Sequence, residues 1–338
     1  MKTFIYSLLV VGSFTLVSCG DDAFDTEPVR PTEPEERVSA YITKVFDYMP
    51  AVGQFTNVLP QYEDGDTQET MNDKVLEAIG NNKRGMISLG GFGGYIVVGF
   101  DHTVQNVPGK KDFRVLGNAF YESNGSADGI VGGSSEPGVI MVALDKNQNG
   151  KPDEDEWFEI AGSSHVDPTK EPWYEKAVVA GNDVNTYFDY EITYYRPAKE
   201  PSSSEEKYIQ WEDNRGNKGY KAKNVHHKQS YFPKWIKGNE LSFKGTRLPQ
   251  NGIDKSGNGS NFVLYKFLYG YADNAVNDKE DACIDIDWAV DKHGMKVDLP
   301  GIDFIKIYTG VNQENGNIGE ISTEITGIED LHVLEAQK

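Results

Sequence analysis

Short apolar runs separated by turn-forming residues dominate the chain beyond residue 36. Five of these runs have the length and the β-branched and aromatic content of strands, and clusters of Gly, Asn, Asp and Pro bound them. They are Tyr95–Phe100, Phe113–Leu116, Gly138–Leu144, Trp157–Ile160 and Phe304–Tyr308. The chain shows no fixed-period repeat of the kind that a propeller or solenoid requires. The pattern predicts a mainly β domain, and the 35 glycines fit a turn-rich β-sandwich with long loops.

One segment near the start of this domain shows helical periodicity instead. Its apolar positions are Met71, Val75, Leu76 and Ile79. Asp66 precedes the segment as a predicted N-cap, and Gly80 follows it as a stop signal. We therefore predict one short N-terminal helix at about residues 67–79.

The N-terminus has the composition of an export signal. Lys2 is followed by an apolar stretch that is too short to cross a bilayer of about 30 Å as a lasting helix. The sequence LVSC at residues 16–19 has the form of a lipobox, in which the cysteine is lipidated and becomes the first mature residue. We predict a lipoprotein signal peptide at residues 1–18 and lipidation of Cys19. An ordinary cleaved signal is the alternative.

Residues 19–36 predict a flexible linker, because they are acidic, rich in proline and nearly free of residues to bury. The folded domain then covers residues 37–338. The polar stretch at residues 198–206 predicts a surface loop, and it marks the break if the domain has two lobes.

The charge of the chain limits its partners. The formal net charge is −20, which disfavours nucleic acid and anionic membrane surfaces through long-range repulsion. We therefore expect no nucleic-acid partner and contact with the membrane only through the lipid anchor. After processing, Cys283 is the one remaining cysteine, so a hydrophobic core must hold the fold without an internal disulfide.

The sequence DKNQNGKPDEDE at residues 145–156 has the spacing of a calcium loop. Oxygen-bearing side chains occupy loop positions one, three, five, nine and twelve, glycine occupies position six, and position seven supplies its carbonyl. The predicted ligands are Asp145, Asn147, Asn149, Lys151, Asp153 and Glu156. Because the flanking runs are predicted strands, we expect one structural Ca²⁺ of modest affinity in a β-hairpin. An acidic turn without metal is the alternative.

Residues 207–237 interleave aromatic and basic side chains in an otherwise acidic chain. Such a patch suits stacking on a planar or sugar ligand, although half or more of its aromatic residues should belong to the core. We predict ligand contacts by Trp211, Tyr231 and Trp235. The adjacent His226 and His227 would point to opposite faces of a strand, which disfavours a shared metal.

Signatures of enzymes are weak. The sequence has no G-x-S-x-G and no H-E-x-x-H motif, and the glycine-rich residues 89–94 lack the Lys-Ser/Thr of a phosphate loop. Asp101-His102 is an acid–base candidate in the weakest sense. We expect a protein that is not an enzyme, while paired carboxylates of a glycosidase stay open because Asp and Glu are so numerous.

Several of these segments together resemble a family of Bacteroidetes cell-surface lipoproteins, some of them described as PKD domain-containing proteins. The segments are Leu89–Phe120, Glu136–Val139, Asp145–Gly162, Ile284–Val311 and Glu320–Val333. The resemblance spans nearly all of residues 40–335. This chain departs from it at Asn317-Ile318, where relatives often have Trp and Leu.

The resemblance implies a jelly-roll-like sandwich with a binding role, exposed on the outer membrane and often encoded near TonB-dependent cobalamin-uptake systems. We accordingly expect a surface lipoprotein that binds a nutrient for a TonB-dependent outer-membrane transporter. Cobalamin or another corrinoid is the first choice of ligand. A glycan is the alternative, and a hydrolase is a third class.

Overall fold

Antiparallel strands make up most of the regular structure in the computed structural model, which describes residues 38–122 and 129–337. The prediction of a mainly β protein is confirmed. The predicted signal peptide, Cys19 and the linker lie outside the described residues. From Val38 onward, the chain groups as one compact unit.

The strands of the described residues range from two to eleven residues, and the longest is Tyr95–Gln105. In chain order they are Lys44–Met49 (β1), Ile87–Ser88 (β2), Tyr95–Gln105 (β3), Phe113–Leu116 (β4), Phe120–Tyr121 (β5), Gly132–Ser134 (β6), Gly138–Ala143 (β7), Trp157–Ile160 (β8), Tyr187–Tyr195 (β9), Glu205–Asp213 (β10), Lys218–Lys223 (β11), Glu240–Arg247 (β12), Gly252–Asp254 (β13), Phe262–Tyr265 (β14), Cys283–Ile284 (β15), Ala289–Val290 (β16), Gly301–Thr309 (β17), Glu324–Ile325 (β18) and Gly327–Asp330 (β19).

The helices are few and short. They are Gln68–Ile79 (α1), Ser163–Val166 (α2), Tyr174–Ala180 (α3) and Leu331–Ala336 (α4), with 3₁₀ turns at Glu154–Glu156, Pro168–Lys170, Glu280–Ala282, Ile286–Trp288 and Gly316–Ile318. None of these helices combines the length and the apolar character that a bilayer crossing needs.

The predicted helix is α1, with a different cap. Thr67, one residue after the predicted Asp66, accepts the capping bond from the backbone N–H of Thr70, while Asp66 pairs with Lys74 at 2.7 Å. Met71, Val75 and Ile79 form the buried face of the helix. Each such side chain contributes about 1.5–3 kcal/mol by leaving water.

A six-stranded sheet in the order β1-β3-β17-β7-β8-β16 is built around β3 and β17, its two longest strands, which pair with each other. Ile305 lies opposite Val98 and Ile307 opposite Ile96, and all four side chains are fully buried. The buried face of α1 joins the same apolar cluster. Strands covered on both faces have nearly continuous apolar sequences. This continuity made the apolar runs in β3 and β17 recognisable in the sequence.

A four-stranded sheet, β11-β10-β9-β12, has the alternating pattern of strands with one face in water. Its inner face contributes Tyr190, Ile192 and Tyr194 to an aromatic cluster that also contains Phe92 and Phe243. The remaining sheets are β13-β14-β6-β5, β15-β4-β19 and β18-β2.

The glycine-rich residues 89–94 pack their backbone against this aromatic cluster. A Cβ at Gly93 would lie 2.2 Å from the Cβ of Phe243, and one at Gly94 would lie 1.9 Å from the carbonyl oxygen of Leu89. The glycines therefore permit close packing, as expected from the absence of phosphate-loop features.

Gly94→Ala should lower the free energy of unfolding by about 3 kcal/mol, because the new methyl group meets backbone atoms of Leu89 and Ala51 that cannot move independently. Chemical denaturation measures the change. Gly238→Ala is the matched control, since its nearest atom is the carbonyl oxygen of Glu240 at 3.4 Å. Equal stability of the two variants would contradict this account of residues 89–94.

Candidate functional site

A polar pocket of about 310 Å³ has a buried acidic floor and an exposed rim. Its floor is formed by Glu136, Glu320, Ser322 and Glu324. Its walls and rim are formed by Gln54, Phe55, Asn118, Asn224, His226, His227, Asn317 and Ile318. A concave site with convergent polar groups on its floor is the usual form of a small-molecule site.

An extended segment places three of the four floor residues. Glu320, Ser322 and Glu324 alternate along the chain, and alternate side chains of extended backbone share one face. The pairing of β18 with β2, in which Glu324 lies opposite Ser88, fixes the end of this segment. Glu136 arrives from the turn before β7, and its backbone N–H donates to the carbonyl of Asp273.

Glu136, Asp273 and Glu324 form a tight carboxyl cluster in which one oxygen of each lies within 4.8 Å of the others. Neighbouring donors reach every oxygen. Glu136 accepts from the N–H of Ser322 at 3.2 Å and from the hydroxyl of Ser134 at 3.2 Å.

The other two carboxyls of the cluster are held in the same way. Asp273 accepts from the backbone N–H groups of Asn118, Ala119 and Glu324 at 2.7–3.0 Å. Glu324 accepts from the hydroxyl of Ser322 at 2.9 Å and from the amide of Asn118 at 3.3 Å. By spacing, this cluster is the grouping of described acidic residues that suits a metal ion best.

Burial makes ionisation of the cluster unfavourable. It raises the pKa of Glu136 to about 7. Burial, reinforced by the neighbouring carboxyls, also raises the pKa of both Asp273 and Glu324 well above the ordinary range. Charges this close repel strongly when water is excluded, so the cluster favours its protonated forms.

Glu320 belongs to a second acidic group beside the first. Burial and the nearby charge of Glu314 raise the pKa of Glu320 to about 8, while Lys221 acts in the opposite direction. Lys221 contacts Glu314 at 2.7 Å. The N–H of Gln54 donates to Glu320 at 2.6 Å and fixes the carboxyl at the floor.

The rim combines one aromatic ring with imidazole and amide groups. Phe55 and His227 meet edge to face with ring centroids 4.9 Å apart. The backbone N–H groups of His226 and His227 both donate to the side-chain oxygen of Asn224, at 2.9 and 3.1 Å. The prediction that these histidines occupy a strand with opposite orientations is wrong, because they lie in the irregular segment after β11 and both line the pocket.

The predicted calcium loop joins β7 to β8 in an antiparallel hairpin, as its flanks predicted. Asp145 accepts from the N–H groups of Asn149 at 3.0 Å and Gly150 at 2.7 Å. Asp153 accepts from the side-chain amides of Asn147 and Asn149, at 2.6 and 2.8 Å. Four of the six predicted ligands therefore converge on one turn.

Glu156 is placed differently from these four residues. The carboxylate of Glu156 is buried and accepts from the N–H groups of Lys146 at 2.9 Å and Asp153 at 3.4 Å. The N–H of Lys151 donates to Asn149 at 2.7 Å. The oxygen-rich donor set fits calcium, but Glu156 would have to exchange backbone partners to coordinate it. Ca²⁺ at this loop stays a prediction.

The predicted aromatic patch is largely core. Tyr231 is 1% exposed and Trp235 is 8% exposed, so neither presents a ring face to a ligand, contrary to prediction. The Trp235 ring stacks near Tyr48 and Tyr62, with its indole N–H donating to Gln68 at 3.0 Å. Trp211, on β10, is half-buried and remains a predicted contact.

A larger groove of about 570 Å³ lies between the predicted surface loop at 198–206 and the strands β10 and β11. Tyr195, Tyr208 and Tyr220 line it together with serines and prolines of the loop. It has no cluster of buried titratable groups, within the described residues, to compare with the acidic floor. We therefore place the candidate site at the smaller pocket.

Sequence reasoning missed this pocket, although one signal was present. Glu320, Ser322 and Glu324 form a polar alternation, where a strand facing the core would carry apolar residues. No sequence pattern joins them to Glu136 or Asp273, which come from distant positions. Comparison with known proteins adds no information, since neither a family model nor a curated protein matches the chain.

Chelation of calcium should lower the melting temperature if the loop at residues 145–156 binds Ca²⁺. Binding to the native state alone adds about 2.7 kcal/mol when free Ca²⁺ is a hundredfold above its Kd. The variant Asp145→Ala with Glu156→Gln should melt low with or without calcium. A melting temperature that is indifferent to both the chelator and the substitutions would leave the loop as an acidic turn.

The free energy of unfolding should fall as pH rises from about 5 to about 8. The pKa of Glu136 and Glu320 in the folded protein is about 7 and about 8, above the ordinary 4.5, so folding favours their protonated forms. Their contribution is complete below about pH 4.5 and is lost as pH passes through the folded values. Two groups shifted this far lose up to about 6 kcal/mol together between pH 5 and pH 8, and denaturant titrations measure that loss.

Glu320→Gln isolates the contribution of the pocket floor. The amide oxygen can still accept from Gln54, and the repulsion by Glu314 disappears, so the pH dependence should become flatter. An unchanged dependence of the unfolding free energy on pH in the variant would contradict the role of Glu320.

His102 adds to the same pH dependence from outside the pocket. Burial lowers the pKa of His102, but hydrogen bonds to Asp101 and Asp330 outweigh it and raise the pKa. The stability that this residue contributes is therefore also lost as pH rises.

Proposed function

We propose that this chain is a lipid-anchored surface protein that binds a small polar nutrient in the acidic pocket, without catalysis. One observation carries the proposal, namely that three buried carboxyl groups from two distant segments, Glu136 from one and Glu320 and Glu324 from the other, face one cavity of about 310 Å³. Buried acids are costly to a fold, so their convergence on a cavity points to a role in binding.

The pocket favours a saccharide over a corrinoid, which reverses the order expected from the resemblance. Its volume is at the low end for ligand sites and suits one or two sugar rings. A whole corrinoid is larger than this cavity and would have to bind mostly outside it. Carboxyl groups and the amides of Asn118 and Asn224 match sugar hydroxyls, and the ring of Phe55 offers an apolar contact.

The remaining features of the proposal follow from the sequence. Lipidation of Cys19 would tether the domain to the outer membrane, with the linker at residues 19–36 holding it at the cell surface. Delivery to a TonB-dependent transporter, a structural Ca²⁺ in the loop at residues 145–156 and a jelly-roll-like arrangement of the sheets belong to the same proposal.

A glycoside hydrolase is the second candidate, because Glu136 and Glu324 are paired carboxyls in a cleft. Such an enzyme needs one carboxylate that stays ionised beside one acid. In this pocket burial raises the pKa of both groups, which supplies acids but no ionised partner. Binding therefore agrees better with the electrostatics than hydrolysis does.

Glycan-array screening and calorimetric titration of the purified protein should detect saccharide binding, while cyanocobalamin should bind more weakly. Phe55→Ala should weaken saccharide binding by about 1–3 kcal/mol, because Phe55 supplies the apolar aromatic surface among the described residues that line the pocket. Its melting temperature, measured in parallel, separates this effect from unfolding.

Trp211→Ala is the matched control from the predicted aromatic patch. If Trp211→Ala weakens binding and Phe55→Ala does not, the patch is the site and the pocket is not. Tight cyanocobalamin binding without saccharide binding would restore the corrinoid hypothesis. Release of free sugar from a bound glycan, lost in Glu324→Gln, would make the protein a hydrolase.

A further inference from the structure

The pocket is unusual in the sign of its charges. Three carboxyl groups, Glu136, Glu320 and Glu324, line it, and neither lysine nor arginine appears among the described residues that do so. The only basic groups in this lining are His226 and His227. Binding sites for anionic sugars or phosphate normally present Arg or Lys, so this pocket excludes such ligands.

Charges behind the lining do not reverse this imbalance. Asp273 stands against Glu136 and Glu324, and Glu314 stands against Glu320. Lys221, the basic group beside Glu320, is buried and already contacts both Glu314 and the side chain of Asn312. The acidic groups therefore lack compensation from the protein on the side that faces the cavity.

We propose that the ligand of this pocket carries a positively charged amine, as an amino sugar does. This inference rests on the proposed saccharide-binding function and names the class of saccharide. An ammonium group placed between Glu136 and Glu324 would lower the raised pKa of both carboxyls, so that they bind it as carboxylates and accept its hydrogen bonds through the remaining lone pairs of their oxygens. The sugar ring would then lie toward Phe55 and the amides of the rim.

An ammonium group agrees with the contacts better than a bare divalent ion does. Each oxygen of the cluster already accepts one or two protein hydrogen bonds, for example from Ser134 and Ser322 to Glu136. A metal ion needs several oxygens withdrawn from such donors at short distance, whereas an ammonium group uses the remaining lone pairs. The cavity also has room for a whole sugar ring beyond the charged group.

Calorimetric titration with three pyranoses that differ mainly in charge tests the proposal. Glucosamine should bind at least about tenfold more tightly than glucose, and glucuronate should bind most weakly, at neutral pH in buffer with a chelator. Glu136→Gln and Glu324→Gln should reduce the preference for glucosamine to less than about threefold. Glu77→Gln, an exposed acid on α1, should leave the preference unchanged.

The outcomes distinguish the two proposals. Equal binding of glucose and glucosamine would overturn the amine inference and leave saccharide binding in place. Binding of Ca²⁺ that displaces glucosamine and is lost in Glu136→Gln would replace the amine by a metal ion. If none of the three pyranoses binds, both proposals fail. Melting curves of the glutamine variants, which remove buried acids and should not melt lower than the unchanged protein, exclude loss of folding as the cause.

Discussion

The antiparallel pairing of β3 with β17 is the contact on which the rest of the described structure depends. It brings residues 89–94 beside the end of β17, where the hydroxyl of Thr309 donates to the carbonyl of Gly90 at 2.8 Å. The same hydroxyl accepts from the N–H of Thr323 at 3.1 Å, and Thr323 in turn accepts from Leu89 at 2.9 Å. Hydrogen bonds thus tie the segment that forms the floor of the pocket to the end of β17.

That connection explains how the fold can hold acids where water is scarce. The backbone N–H groups of Asn118, Ala119 and Glu324 around Asp273 supply hydrogen bonds without a loss of side-chain freedom, and the hydroxyl of Ser322 adds one to Glu324. These hydrogen bonds offset the cost of burying the carboxyl groups, but they do not remove the repulsion between the groups when they are ionised. A molecule that removes the repulsion would stabilise the fold and bind to it through the same interaction.

The sequence predicted those parts of the fold in which neighbouring residues act together. The apolar runs of β3 and β17 arise from burial of successive positions, the pattern of α1 arises from burial of every fourth residue, and the hairpin around residues 145–156 joins adjacent strands. The aromatic residues between 207 and 237 were ambiguous because a ring on a sheet face has the same spacing in the core as at a site. Because Tyr231 and Trp235 are buried, these two rings belong to the core.

The pocket could not be predicted in the same way. Its acids come from the segment before β7 and from the segment that ends in β18, with Asp273 behind them, and only the tertiary fold brings them together. In an acidic chain, a single acidic residue does not indicate a buried site, since most acidic residues are exposed. These acids become neighbours only after folding, and their pKa values shift only then.

The two ends of the described domain adjoin each other. The backbone N–H of Asp330 donates to the carbonyl of Ala40 at 2.8 Å, and the side-chain amide of Gln337 reaches the carbonyl of Val38 at 3.5 Å. A short peptide could therefore join the ends while new ones are opened at an exposed turn such as that of Gly257. The sheet pairings would survive such a circular permutation, so the chain termini can be moved around this domain without rebuilding it.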